Sequence, residues 1–219
     1  MKQKFEKAVS EQVYQYLIDM ILSLKIKPGD RIPEAAIAQQ FAISRTPIRE
    51  ALSDLAKDGI INVYPNRFSE VAIYDAARVK EIGITRICLD RLSFKLALYY
   101  GSRADYEKLR TYAKNCYDMA LKNDLLNRIK ADSDFHWALC KMSKNQSLMK
   151  IEKSLIIQIE YLQAANYLQA EDPKEQYESH LRIVNALEDG NMQSGLEEIT
   201  GPSIRFYNLK GLPDALYRG

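Results

Sequence analysis

Residues 43–59 read ISRTPIREALSDLAKDG. Ile48, Ala51, Leu52 and Leu55 recur at helical spacing and make one apolar face. Ser44 is placed to N-cap this helix by accepting a backbone N–H. Pro47 then falls near the third helical position, where its missing N–H costs nothing because first-turn donors are unpaired anyway. Gly59 is a plausible C-cap. Arg45 and Arg49 share a face at i, i+4 spacing, turned away from the apolar one. Cations at a helix N-terminus oppose the macrodipole, so local stability does not explain them. An anion outside the chain does.

The flanking segments extend the pattern. Val9, Val13, Leu17, Met20, Ile21 and Leu24 lie on one face of a helix that Pro28-Gly29 is expected to end. PEAAIAQQFA, 33–42, reads as a second short helix with Pro33 in its first turn. After Gly59, Ile61 and Val63 alternate, as do Val71 and Ile73, around the turn chemistry of YPNRFS. This predicts a β-hairpin. Three helices and a hairpin are the layout of a winged helix-turn-helix, whose third helix enters the major groove. Arg45 and Arg49 would then face phosphates and guanine edges, which arginine engages in bidentate fashion. Thr46 adds a hydroxyl, and Arg67 sits in the turn of the wing. The competing reading is a solvated arginine pair bonded to Glu50 or Asp54. Net charge does not decide the matter. It is only +2, and residues 1–74 hold ten Lys/Arg against nine Asp/Glu.

From residue 75 onward the chain reads as helix, with breaks expected near Gly101-Ser102, Asn123-Asp124, Ser143-Asn145, Glu171-Pro173, Gly190-Asn191 and Gly201-Pro202. The expected fold is therefore mainly α: a winged helix-turn-helix domain over 1–74, then an all-α bundle over 75–219. At 219 residues, 47% hydrophobic and 27% charged, the composition is that of a soluble globular chain. No apolar run reaches the roughly 20 residues of a membrane span. The charged start MKQKFEKAVSEQ lacks an apolar signal core, so a cytoplasmic location is expected. The three cysteines, Cys88, Cys116 and Cys140, are far apart and fit buried, reduced side chains.

Two segments of the helical part place polar residues inside apolar stripes. Leu125, Ile129, Asp132, His136, Leu139 and Ser143 follow one another at spacings of four and three, so Asp132 and His136 point inward with the leucines. His180 sits among Tyr177, Leu181, Val184 and Leu187. Buried polar groups need partners. A divalent ion held by Asp132, His136 and His180 satisfies all three; so does an Asp–His hydrogen-bonded cluster in the core. Arg86 falls on the stripe of Val79, Ile82, Leu89 and Ser93. It suits either an anionic ligand or an ion pair with Asp90. Gln158, between Leu155 and Leu162, is a weaker pocket candidate.

SRTPIREAL following IPEAAIAQQFAI resembles the recognition segment of GntR-type transcriptional regulators, in the branch with a FadR-like, all-helical (FCD) effector domain. The resemblance implies DNA contacts from Ser44, Arg45, Thr46, Arg49 and the wing residues Asn66 and Arg67. The wing of that family commonly carries glycine after Asn-Arg; here Phe68 stands there, implying an altered wing contact. DSDFHWALCKMSKN and YESHLRIVNALEDGN are similar to the metal-binding helices of the branch, implying Asp132, His136 and His180 as ligands for zinc, nickel or a similar ion. A fourth ligand, a histidine in the last helix, is replaced by Pro202. Metal-free members also exist, so the ion stays open. The resemblance further implies a homodimer on a palindromic double-stranded operator, and a small-molecule effector, most simply a carboxylate, facing Arg86. Such a protein is a regulator, expected to repress, and not an enzyme. Two alternatives compete with this reading: a DNA-binding protein whose helical domain only dimerises, and a metal-dependent hydrolase. The second lacks an H-E-x-x-H or other catalytic constellation and leaves the first 74 residues unexplained.

Overall fold

The computed structural model describes residues 2–166 and 172–217. The chain forms two compact units, Met1–Ile73 and Tyr74–Gly219.

The first unit contains α1 (Lys2–Leu22), α2 (Glu34–Phe41), α3 (Arg45–Lys57), β1 (Ile61–Tyr64) and β2 (Phe68–Val71). Val13, Leu17 and Ile21 of α1 are buried, as are Ile37 of α2 and Ile48, Ala51, Leu52 and Leu55 of α3. The apolar stripes read from the sequence thus supply the core. Pro47 is the third residue of α3 and is also buried. Ser44 occupies the N-cap in extended conformation, but its side chain makes no capping hydrogen bond. This corrects the expected cap: the hydroxyl is left exposed at the helix tip. At the other end Gly59 adopts φ +77°. The Gly59 N–H reaches the Ala56 carbonyl at 3.0 Å, and the Ile60 N–H reaches Leu55 at 2.9 Å. This paired 5→2 and 6→1 pattern is a Schellman motif and fixes where α3 stops. Helix α1 ends at Leu22, well before Pro28-Gly29. Leu24, expected on its apolar face, instead turns left-handed at φ +57°.

The hairpin is antiparallel, with Ile61 opposite Val71 and Tyr64 opposite Phe68. Its turn is shorter than the sequence indicated, because Tyr64, Phe68 and Ser69 all belong to the strands. Pro65 and Asn66 are the central residues, Asn66 has φ +58°, and the Arg67 N–H closes on the Tyr64 carbonyl at 3.0 Å. Proline followed by a residue at positive φ is type II turn chemistry. Ile73 lies beyond the strand and is exposed. Residues 29–32 run along the other edge of β2, with Ile32 N–H bonded to Ser69 O at 2.8 Å and Val71 N–H to Asp30 O at 2.9 Å.

The second unit contains α4 (Ala76–Tyr100), α5 (Arg103–Leu121), α6 (Leu125–Met142), α7 (Gln146–Ala165), α8 (Pro173–Glu188) and α9 (Met192–Phe206), followed by a 3-10 turn at Asp214–Leu216. Polar N-caps punctuate it. Asp75, Ser102, Asp124, Asn145, Asp172 and Asn191 each accept a backbone N–H from the first turn of their helix. Helix α4 packs against α6, α7 and α9, and α5 packs against α6 and α8. Phe94, Phe135, Leu139, Val184, Leu196 and Ile199 meet in the main core.

One expected break is absent. Helix α9 runs through Gly201-Pro202 to Phe206. The proline removes one donor, that for the Glu198 carbonyl. Tertiary contacts offset the loss: Leu196 and Ile199 are buried, and the Arg91 guanidinium bonds Thr200 Oγ1 at 2.9 Å. The expected break at 171–173 falls partly on residue 171, outside the described residues; α8 begins at Pro173. Cys116 and Cys140 are buried, whereas Cys88 is exposed on the outer face of α4, contrary to expectation.

Gly195 shows how tightly α9 meets α4. A Cβ there would overlap the ring of Phe94, which is fully buried. Gly195→Ala improves helix propensity by about 1 kcal/mol, yet the ring has nowhere to go. The net expectation is a loss of about 1–3 kcal/mol in urea unfolding, as for other overpacked cores.

Candidate DNA interface and helical-domain cavity

In the first unit, Ser44, Arg45, Thr46 and Arg49 are exposed at the N-terminal end of α3. Buried Pro47 and Ile48 anchor the tip between them. Among the described residues neither arginine makes an ion pair. Asp54, the expected partner under the solvated reading, is bonded to Lys57 at 2.7 Å instead. Asn66 and Arg67 are exposed in the wing turn. Two guanidiniums and two hydroxyls are therefore presented together on one helix end, neither arginine being ion-paired among the described residues.

In the second unit, a cavity of about 330 Å³ is lined by α4, α6, α7, α8 and α9. The structure brings Asp132, His136 and His180 together in its wall. Asp132 and His180 are buried, and one ligand atom from each of the three lies within 4.8 Å of the other two. Asp132 is held from two sides. Its Oδ2 accepts from Gln163 Nε2 at 2.6 Å, its Oδ1 accepts from Gln176 Nε2 at 2.8 Å, and His180 Nε2 lies 3.3 Å from Oδ1. Nδ1 of His136 faces Asp90 Oδ2 at 3.3 Å without an aligned hydrogen bond. Arg86 lines the same cavity and is paired with Asp90, Nε to Oδ2 at 2.9 Å, both side chains being buried. Of the two alternatives raised for Arg86, the internal ion pair with Asp90 is present, and the residue also lines the cavity.

These contacts set the charge states. Burial alone would raise Asp90, but His136 and Arg86 outweigh it and hold the carboxyl down to about 2. Burial would also raise Asp132, yet the His180 hydrogen bond and the nearby His136, His180 and Arg86 keep it below the usual carboxylate range. Burial lowers His180, which favours a neutral, ligating imidazole. Glu152, buried near the same charges, is pushed up to about 7 by burial and by Asp90.

The donor set fits a divalent ion. Two imidazoles and one carboxylate are the ligand types of zinc and nickel sites. The carboxylate is oriented by the amides of Gln163 and Gln176, and His136 is faced by Asp90, as second partners of metal ligands commonly are. Pro202, standing where the resemblance placed a fourth ligand, lines the cavity with an apolar ring. Protein ligands to such an ion would therefore number three, leaving positions for water or a bound ligand.

Gln158 does not line the cavity, and its assignment as a pocket residue is corrected. It accepts from Arg78 Nη2 at 2.7 Å on the outside of the unit. Gln163, five residues later and about 140° further round α7, faces inward instead. Gln163 and Gln176 were not singled out from the sequence, whereas Asp90 was, as the partner of Arg86. Glutamines in amphipathic helices are ordinarily solvent-facing, and no local spacing marked these two.

A winged helix-turn-helix with a cationic helix tip, joined to a helical unit around a cavity, defines a DNA-binding transcriptional regulator. The chain belongs to the gntR family of bacterial regulatory proteins. Residues 9–71 match the family described as bacterial regulatory proteins, gntR family, and residues 81–197 match the FCD domain. Among its relatives, the Nta operon transcriptional regulator of Aminobacter aminovorans is 27% identical over 170 residues, covering 78% of this chain and 79% of the relative. The HTH-type transcriptional repressor RspR of Escherichia coli K12 is 24% identical over 199 residues, covering 88% and 87%. The fold is shared with E. coli McbR/YncC, at TM-score 0.75 and 22% identity over 96% of this chain and 97% of that one. A GntR regulator from Rhodococcus sp. RHA1 superposes at TM-score 0.76 and 19% identity, covering 91% and 96%. No described helix is long and apolar enough to cross a membrane.

Proposed function

We propose that the protein is a cytoplasmic, effector-responsive repressor that binds a palindromic operator as a homodimer. The observation that carries the effector reading is the cavity, where Asp132, His136, His180 and Arg86 converge in one wall. In this reading Arg45, Thr46 and Arg49 read the major groove, Ser44 contacts the backbone, and Asn66 and Arg67 serve the wing. Asp132, His136 and His180 hold one divalent ion, which supplies a Lewis-acidic centre to a bound ligand. Arg86 supplies positive charge beside it. A small carboxylate meets both requirements, since it is an oxygen ligand for the ion and a bidentate partner for a guanidinium. Repression is supported by the name of the RspR relative. A two-fold dimer matches a palindromic site because each half-site receives one recognition helix.

The test starts from a duplex selected by the wild-type chain from a randomised library. Arg49→Ala is expected to weaken binding by about 1–3 kcal/mol at fixed salt, measured by fluorescence anisotropy. Undiminished affinity would remove α3 from the recognition role. A panel of small carboxylates, with and without zinc or nickel, should change operator affinity by a coupling of typically 1–3 kcal/mol. No change across the panel would leave the helical unit as a dimerisation domain only.

A further inference from the structure

The wing carries a feature that the proposed recognition residues do not use. One face of the hairpin sheet, where Asn62 pairs with Glu70 and Tyr64 with Phe68, points away from the core. Arg31 is bridged to Glu70 on the opposite edge, so its side chain rises from the same face. The Arg31 guanidinium lies over the Phe68 ring, 4.0 Å from its centroid. The Arg67 guanidinium, from the wing turn, is 5.9 Å from the same centroid. Tyr64 packs on Phe68 at 4.7 Å.

The local carboxylates hydrogen-bond groups other than these guanidiniums. Glu70 accepts from the Tyr64 hydroxyl at 2.8 Å, Glu34 from Ser69 at 3.2 Å, and Asp30 from the Lys27 N–H at 2.8 Å. Among the described residues neither Arg31 nor Arg67 makes a hydrogen bond or ion pair through its guanidinium. Two like charges thus lie against one aromatic ring, neither of them in an ion pair. Stacking holds a guanidinium by its flat face and leaves its N–H edge free for an oxyanion. It also restricts the side chain before any ligand arrives, so less rotamer entropy is lost on binding.

We infer that Arg31 is a further DNA-backbone contact, and that Phe68 is the platform aiming Arg31 and Arg67 at the same stretch of phosphates. The segment 29–32 thereby becomes part of the DNA surface, although it lies outside both the recognition helix and the wing turn. The inference rests on the DNA-binding reading of this unit.

The experiment measures binding between 50 and 200 mM salt, with wild type, Arg31→Ala, Arg31→Gln, Arg31→Lys, Phe68→Leu and Arg67→Ala. Two labelled duplexes of about 30 base pairs serve as probes, one selected by the wild type and one of random sequence. Each phosphate contact contributes about 0.9 to the slope of log K against log salt. Arg31→Ala and Arg31→Gln should make the slope shallower by about one and weaken both duplexes by the same factor. Arg31→Lys, which keeps the charge, should retain the slope, and Phe68→Leu should weaken both duplexes with Arg31 and Arg67 still present. The glutamine variant keeps a planar group on the ring, so a melting curve matching wild type separates lost charge from lost folding. A wild-type slope in both Arg31→Ala and Arg31→Gln, with Arg67→Ala shifted, would overturn the role of Arg31. A loss confined to the selected duplex would overturn it as a backbone contact. Failure of the wild type to bind either duplex would instead remove the DNA-binding reading itself.

Discussion

Arg86→Met is expected to destabilise the helical unit by about 3–5 kcal/mol. The substitution is close in length and apolar, so packing is largely conserved and the effect isolates charge. What it leaves behind is Asp90, 1% exposed, with Oδ1 already lacking a hydrogen bond and Oδ2 facing only His136. Removing one member of a buried pair is costly because the other charge stays desolvated without compensation. The expected signature is therefore asymmetric. Arg86→Met with Asp90→Leu should recover most of the loss, because an apolar pair of similar volume has no desolvation penalty to offset. Trp137, the single tryptophan of the chain, lies half-buried on α6 and reports unfolding of this unit by fluorescence. For a unit of this size, 1 kcal/mol corresponds to about 2–4 °C in Tm, so the single variant should melt about 6–20 °C lower. A shift under about 2 °C would mean that water reaches the pair, and that the cavity wall is not the dry, charged surface the contacts describe. The double variant would keep the fold while removing cavity charge, so its response to carboxylates tests Arg86 as a ligand contact apart from its structural role.

How far the sequence showed this arrangement depended on the range of each interaction. The recognition helix was legible because everything that defines it is local: a stripe at 48, 51, 52 and 55, a proline in the first turn, and a glycine after the last. The inward direction of Asp132 and His136 was legible for the same reason, since i, i+4 spacing on one apolar stripe fixes direction without knowledge of the neighbours. The partners of Asp132 were not. Gln163 and Gln176 stand 31 and 44 residues away and reach it only because α7 and α8 pack beside α6. Gln158 was misplaced because a glutamine flanked by leucines looks inward by spacing, whereas Arg78 draws it out. Pro202 was read as a break by a local rule that tertiary packing overrides. Phe68 could be seen as unusual from the sequence, but its use required the edge segment carrying Arg31, placed there by strand pairing rather than by any motif.

The second large effect concerns the ion. Zinc or nickel at a concentration about 1,000-fold above its dissociation constant should stabilise the helical unit by about 4 kcal/mol, because the ligands converge only in the folded chain. That corresponds to about 8–16 °C in Tm, lost on adding a chelator. His136→Ala removes one ligand of three, and with Pro202 in the wall no described protein group takes its place. The variant should therefore purify without near-stoichiometric metal and melt at the same temperature with or without chelator. Gln163→Ala divides the contributions differently. It removes one amide from Asp132 but leaves every ligand atom, so metal should still bind, about 10–100-fold more weakly. The protein must be prepared without an affinity tag or chelator, since a histidine tag would supply the missing imidazoles. If wild type and His136→Ala both lack metal, and neither responds to added ion, the two histidines and Asp132 are a hydrogen-bonded cluster. Ligand recognition would then fall to Arg86 and the polar groups of the cavity acting by direct contact.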